Sequence, residues 1–220
     1  MRTKQTIAVL GATGKMGSAI AKSLSKGNYR ILLFSRDNTK LGRLKRELRN
    51  AVPQADVVSV DCSYNACWEA DVIIAAVPYS AEKEVADTIR EVANQKIVIS
   101  VANPVNNNGD ALLTPLNTSA AEELQKLLPN SKVIKAFNTM FAADFNQPEI
   151  DGKQVDAFIA GNDDDALEIV RDLVQTAGFN PVIAGDLSLS RVLEHMQLLL
   201  IRLSIKHNYN RLAGWKILHH

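Results

Sequence analysis

The sequence has little of what would mark a specialised class. Only two cysteines occur in 220 residues, Cys62 and Cys67. Their close spacing, with no histidine cluster nearby, is poor for zinc. A disulfide framework would need more of them, so both read as reduced thiols of a cytoplasmic protein. Charge of one sign is also missing: 25 basic residues face 24 acidic ones, a net charge of +1. That excludes a broad nucleic-acid footprint. The one basic run, "KLGRLKRELR" from Lys40 to Arg49, has helical spacing and holds Glu47, so it reads as a solvated helix face. No run reaches the roughly 18 apolar residues of a membrane span. The longest, Met196 to Ile205, is interrupted by Arg202. No signal peptide is recognisable, and "MRTKQTIAVL" runs straight into an apolar segment.

Histidine is scarce as well. The four present are His195, His207, His219 and His220, all near the C-terminus. His195 reads as a packed or interface residue within a helix, and the last two as terminal decoration. The acids of "GNDDDA", Gly161 to Ala166, are adjacent rather than alternating. They suit a helix start better than a metal site.

What is present is an alternation. Short apolar, β-branched runs at Thr6–Gly11, Arg30–Ser35, Asp56–Val60, Asp71–Val77, Lys96–Val101 and Ser131–Phe137 read as strands covered on both faces. Helical patterns fall at 15–26, 40–50, 81–92 and 120–128. This predicts an α/β, Rossmann-type, doubly wound parallel sheet with right-handed crossovers. Strand, helix, strand then follow from Asp156 to Gly185, and one apolar helix from Leu189 to His207. The expected division is residues 1–140 as the nucleotide-binding domain and 141–220 as a small α/β extension that completes a substrate pocket. The last helix is apolar around more than one narrow stripe, so it needs burial on more than one side. A homodimer partner would supply it.

Three glycines follow the first strand and open the first helix, at Gly11, Gly14 and Gly17. The spacing is G-x-x-G-x-x-G, one residue longer than the usual dinucleotide fingerprint. The roles survive the insertion: a tight turn, a close approach to a pyrophosphate, and close packing of the helix. The helix start then offers free N–H donors to phosphate. At the end of the second strand stands "FSRDNTK". Ser35, Arg36 and Lys40 suit a ribose 2′-phosphate, favouring NADP. Asp37 is either an NAD-type acid displaced by one place or a charge at a helix N-terminus.

Together, "GATGKMG", "FSRDNTK", "AAVPYS", "VIKAFNTM" and "GDLSLSRVLE" resemble the motifs of the deazaflavin (coenzyme F-420)-dependent NADP oxidoreductases. They are also similar to those of the cytosolic domain of STEAP-type ferric reductases. The resemblance covers nearly the whole chain. It implies that Thr13, Gly14, Lys15 and Met16 line the pyrophosphate, and that Ser35, Arg36 and Lys40 hold the 2′-phosphate. Val77 and Pro78 would flank the ribose of the nicotinamide half. Asn103 and Pro104, within "ANPV", would lie near the nicotinamide, and Asn138 and Thr139 would approach the same ring. Asn138 also fits a plain turn or helix cap. The family has a His–Thr pair where this chain has Asn138 and Thr139, closer to the ferric-reductase version. The loop "VANPV" is also less proline-rich than in the deazaflavin enzymes. Both departures lie on the side of the second substrate.

The expected activity is hydride transfer between NADP(H) and a small-molecule redox partner, a flavin or deazaflavin. Such a reaction needs positioning rather than an acid–base pair, so no catalytic residue is assigned. A non-catalytic NADPH-binding sensor acting through a partner is the alternative. A dehydrogenase of small carbonyls or imines fits less well, because no Lys, His or Tyr acid stands out after the fourth to sixth strands. Tyr79 reads as a ring shield or an exposed loop aromatic, and Trp215 as a pocket wall or an anchor for the tail. The 2′-phosphate assignment predicts that Arg36→Ala weakens NADPH binding far more than NADH binding, by about 1.5–3 kcal/mol for a lost charged contact. Fluorescence titrations with the two nucleotides measure this, and equal weakening of both contradicts it.

Overall fold

A computed structural model describes residues 4–219. Runs of Ile, Val and Leu form six parallel strands: β1 (Gln5–Leu10), β2 (Tyr29–Phe34), β3 (Asp56–Ser59), β4 (Val72–Ala75), β5 (Ile97–Ser100) and β6 (Lys132–Lys135). Their spatial order is 3-2-1-4-5-6. The alternation of strand side chains explains why these runs are apolar throughout. In β1, Ile7 and Val9 enter the core on one face of the sheet, and Ala8 and Leu10 the core on the other.

Helices α1 (Lys15–Leu24), α2 (Asn38–Ala51) and α6 (Asp164–Thr176) cover the first face. Each does so through an i, i+3, i+4 or i+7 stripe, such as Leu41, Leu44 and Leu48 of α2. The basic residues of α2 lie outside that buried stripe, as the composition of the run requires. Helices α3 (Ser63–Glu69), α4 (Tyr79–Ile89) and α5 (Ala120–Leu127) cover the second face. The acids of "GNDDDA" start α6, where Asp163 caps the helix by accepting from the Ala166 N–H at 2.9 Å.

After β6 the chain makes a small hairpin, β7 (Glu149–Ile150) and β8 (Lys153–Gln154). Its turn, Asp151–Gly152, has positive φ at both residues, the geometry that an Asp-Gly pair favours. Strand β9 (Asp156–Gly161) then adds to β6 in antiparallel sense, and β10 (Asn180–Gly185) pairs with β9 in parallel. The sheet is therefore continuous from the N-terminal strands into the C-terminal segment, eight strands in all. Helix α7 (Ser190–His207) packs beside α5 at the carboxyl end of β6. Trp215 joins the tail to β9, its carbonyl accepting from the Asp156 N–H at 2.9 Å. Its side chain packs on the cluster of Phe158, Ala160 and Leu193, so it anchors the tail. Cys67 is buried but Cys62 is exposed, so only one of the two thiols is packed into the core. No helix among the described residues is long and apolar enough to cross a membrane.

Candidate nucleotide and acceptor site

The glycine loop lies where the strand order reverses, between β1 and β4. That switch point is where open α/β sheets bind ligands. Gly11 has φ +75°, and a Cβ there would strike the Ala76 carbonyl oxygen. Only glycine meets both demands. The inserted residue is absorbed in a turn: the Gly14 N–H donates to Gly11 O at 2.9 Å. A Cβ on Gly17 would collide with the Gly11 carbonyl and with Ala12 Cα. The helix thus packs directly onto its own loop. Gly14 is the N-cap of α1 and supplies no side-chain cap, and no acid stands in the first turn. The first N–H groups of α1 are left for an anion.

One cleft, about 570 Å³, opens on the β2 side of this loop. Gly11, Thr13, Gly14, Ser35 and Arg36 line it. Ser35 is nearly buried, and its hydroxyl lies 2.5 Å from that of Thr13, which ties the end of β2 to the glycine loop. Asp37 is the N-cap of α2. Its carboxylate accepts from the Lys40 N–H at 2.9 Å and pairs with the Lys40 ammonium at 3.0 Å. Those bonds, the backbone one first, hold its pKa below the ordinary carboxylate value. Asp37 is thus a helix-capping charge. Lys40 sits off the cleft lining, its charge already opposed. Arg36 is exposed and has no ion-pair partner among the described residues, so it is the cation of this lining left to meet a phosphate. Val77 and Pro78 line the same cleft, together with Ala81 and Val85 of α4. Val77 and Pro78 thus share a cleft with Ser35 and Arg36 and are absent from the lining of the cleft that Asn103 enters.

A larger cleft, about 800 Å³, opens on the other side of the same helix start. Lys15, Met16, Asn103, Phe137 and Met140 form one wall; Gln197, Ile201 and Ser204 of α7 form another, with Arg211 at the tail. Phe137 is fully buried with φ +58°. A bulky residue held there costs on the order of 1–3 kcal/mol and marks an over-determined turn. Phe145 packs against it at 5.9 Å. The turn aims Asn138 at Asn103. Each side-chain amide donates to the other residue: Asn103 Nδ2 to Asn138 O at 2.9 Å, and Asn138 Nδ2 to Asn103 Oδ1 at 3.0 Å. Asn103 lines the cleft, whereas Asn138, Thr139 and Pro104 are buried and do not line it. Asn138 Oδ1, Thr139 Oγ1 and Gln197 Oε1 are buried without a protein partner, and of these Gln197 lines the cleft, where a ligand could satisfy it.

Behind this wall lies a polar cluster whose members are far apart in sequence. Lys135, fully buried, donates to Ala102 O at 2.5 Å and to Glu194 Oε1 at 2.7 Å. Glu194, equally buried, also accepts from the Ala120 N–H at 3.2 Å. Glu82, 3% exposed, accepts from Ser100 Oγ at 3.3 Å. Burial pushes its carboxyl up to about 7, against the pull of Lys135. Tyr79 is the first residue of α4. Its hydroxyl donates to Glu123 of α5, and burial and that bond push its pKa up. His195, expected to be a packed or interface residue, is not packed within the chain but exposed, its Nδ1 2.7 Å from Arg191 O. His220 lies outside the described residues. The signal for the cluster was a lysine inside a strand otherwise buried on both faces and a glutamate within an apolar helix. Such charges occur in a core only when paired.

A glycine-gripped helix start at a switch point, flanked by two clefts, defines a dinucleotide-binding protein of the Rossmann oxidoreductase class. Known proteins narrow the class. The model of the coenzyme F420-dependent NADP oxidoreductase family matches residues 6–104. The F420-dependent NADP reductase of Methanocaldococcus jannaschii is 32% identical over 213 residues, spanning 91% of this chain and 93% of that protein. The metalloreductase STEAP3 of Rattus norvegicus is 26% identical over 89% of this chain, which spans 37% of its length. A solved structure from Arthrobacter, of a candidate F420-dependent NADP reductase, shares the fold with a TM-score of 0.83, at 24% identity over 98% of this chain and all of that one. The chain belongs to the F420-dependent NADP oxidoreductase family.

Glu82 gives the fold a pH dependence. Unfolded, it titrates near its ordinary 4.5; folded, near 7. Between those values the unfolded chain holds fewer protons, so stability falls as pH rises through this window and stays lower above it. Glu82→Gln is expected to remove this loss, gaining on the order of 2–3 kcal/mol relative to the parent at about pH 8 compared with about pH 5. Urea unfolding at both pH values measures it, and a constant difference between the two proteins contradicts it.

Proposed function

We propose that this chain is an NADP(H)-dependent oxidoreductase that passes hydride between the nicotinamide and a deazaflavin or flavin-like ring held in the larger cleft. The observation that carries the reading is the pair of clefts meeting at one helix start. Gly14 belongs to the smaller cleft, and Lys15 and Met16 to the larger. A dinucleotide whose diphosphate sits on the first turn of α1 reaches into both. The free N–H groups of α1 hold the diphosphate. Ser35, Thr13 and Arg36 take the 2′-phosphate, Arg36 through a charge-assisted contact. On the other side Met16, Phe137 and Met140 give an apolar wall against which a ring stacks and water is excluded. The nicotinamide supplies the hydride; the chain supplies orientation and a dry site. The relatives named for F420 support a deazaflavin as the acceptor.

The exposed face of α7 supports a homodimer. Val192 and Leu199, two turns apart, lie on it at 54% and 49% exposure, and Leu116, shortly before α5, is 84% exposed. An apolar face of that kind marks an interaction surface. Two free thiols, and the lack of a membrane-spanning helix among the described residues, support a cytoplasmic site of action.

The test is NADPH oxidation by the purified protein with F420, FMN, FAD and a ferric chelate in turn. Turnover with the deazaflavin, with deuterium from C4-labelled NADPH appearing on the acceptor ring, is the expected result. Tight NADPH binding with no turnover on any acceptor contradicts it and makes the chain a nucleotide sensor.

A further inference from the structure

The buried Lys135–Glu194 pair has no evident role in the grip on NADP(H). Both side chains are fully buried, and 59 residues separate them in sequence. Such pairs are weak contributors to stability, since apolar residues of similar volume in their place are often neutral or stabilising. What this pair does have is placement. On one side the Lys135 ammonium holds the carbonyl of Ala102, the residue before Asn103. On the other, Glu194 belongs to α7, one turn before Gln197 and two before Ile201. Asn103 lies on one wall of the larger cleft, and Gln197 and Ile201 lie on the other. Glu194 also accepts from the N–H of Ala120, the first residue of α5. Four segments thus meet at two charges: the loop after β5, the end of β6, the start of α5, and α7.

We propose that Lys135 and Glu194 are positioning residues that set the separation of the two walls of the larger cleft, and thereby the affinity for the acceptor ring. The proposal rests on the reading of that cleft as the acceptor site. The phosphates of the nucleotide, which carry its affinity, are held elsewhere, by the start of α1 and by Ser35 and Arg36, so the pair bears on the rings that meet in the larger cleft and chiefly on the acceptor's affinity. A loosened wall leaves the ring misplaced. Displacements of about 1 Å at a reacting centre are enough to cost on the order of a hundredfold in rate.

The test uses the double variant Lys135→Met/Glu194→Leu, which removes both charges of the pair together and leaves the neighbouring Glu82, without the pull of Lys135, to its proton. Three quantities are measured: folding by circular dichroism, the Kd for NADPH by fluorescence, and the Kd for oxidised F420 by quenching of its own fluorescence with no nucleotide present. The expected result is a folded protein whose NADPH Kd is within about twofold of the parent and whose F420 Kd is raised at least about tenfold. An unchanged F420 Kd in the folded variant overturns the proposal. If the double variant does not fold, Glu194→Gln decides, because it keeps the volume but removes the charge and one of the two acceptors that hold Lys135 and the Ala120 N–H. A rise in F420 Kd without a change in NADPH Kd then supports the proposal, and no rise overturns it. A parent protein that binds no F420 is a distinct outcome: the acceptor reading fails first, and the proposal with it.

Discussion

The close approach of one helix to the loop that precedes it governs the rest of this structure. Gly17 sits against the Gly11 carbonyl and Ala12, and Gly11 sits against the Ala76 carbonyl. Each contact leaves no room for a β-carbon. Together they bring the first turn of α1 to the edge of the sheet, between β1 and β4, with its N–H groups uncapped by any side chain. A helix start presented this way attracts an anion whatever surrounds it. The extra residue that sets this loop apart from the common fingerprint is taken up by a turn closed on Gly11, and the helix start keeps its place.

Two clefts then divide the labour. On the β2 side, Asp37 and Lys40 satisfy each other while capping α2, and Arg36 stands free to read an additional phosphate. The pairing leaves the charge of Asp37 opposed by Lys40. On the β5 and β6 side, the chain is braced from behind. The reciprocal amides of Asn103 and Asn138, the left-handed turn at Phe137 and the buried Lys135–Glu194 pair hold a wall that is itself largely apolar. Specificity for the nucleotide and geometry for its redox partner therefore reside in different parts of the molecule.

The order in which the fold was legible follows from the range of the forces involved. The strands and most helices are written in local patterns: apolar runs such as "TIAVL", or the three-four spacing of Leu41, Leu44 and Leu48. Short pieces without periodicity were not legible. Helix α3 is seven residues long, and the β7–β8 hairpin has two residues per strand. The glycine loop was legible because steric demands act on neighbours. Asp37 was not resolved by sequence, since an acid after a strand serves equally as a cap or a ribose ligand. Only the hydrogen bond to the Lys40 N–H separates these. The sequence does not say which cleft Val77 and Pro78 line; the packing of β4 and α4 puts them in the one shared with Ser35 and Arg36. The Lys135–Glu194 contact, formed across the sheet between residues far apart in the chain, left only the hint of two charges in apolar surroundings.

The most direct test of the account is a crystal structure of this protein grown with NADP. The diphosphate should lie on the first turn of α1 between Gly11 and Gly17, with the additional phosphoryl group beside Arg36 and Ser35 and the nicotinamide turned toward Asn103. Electron density that puts the nucleotide anywhere else on the sheet would contradict the account at its base.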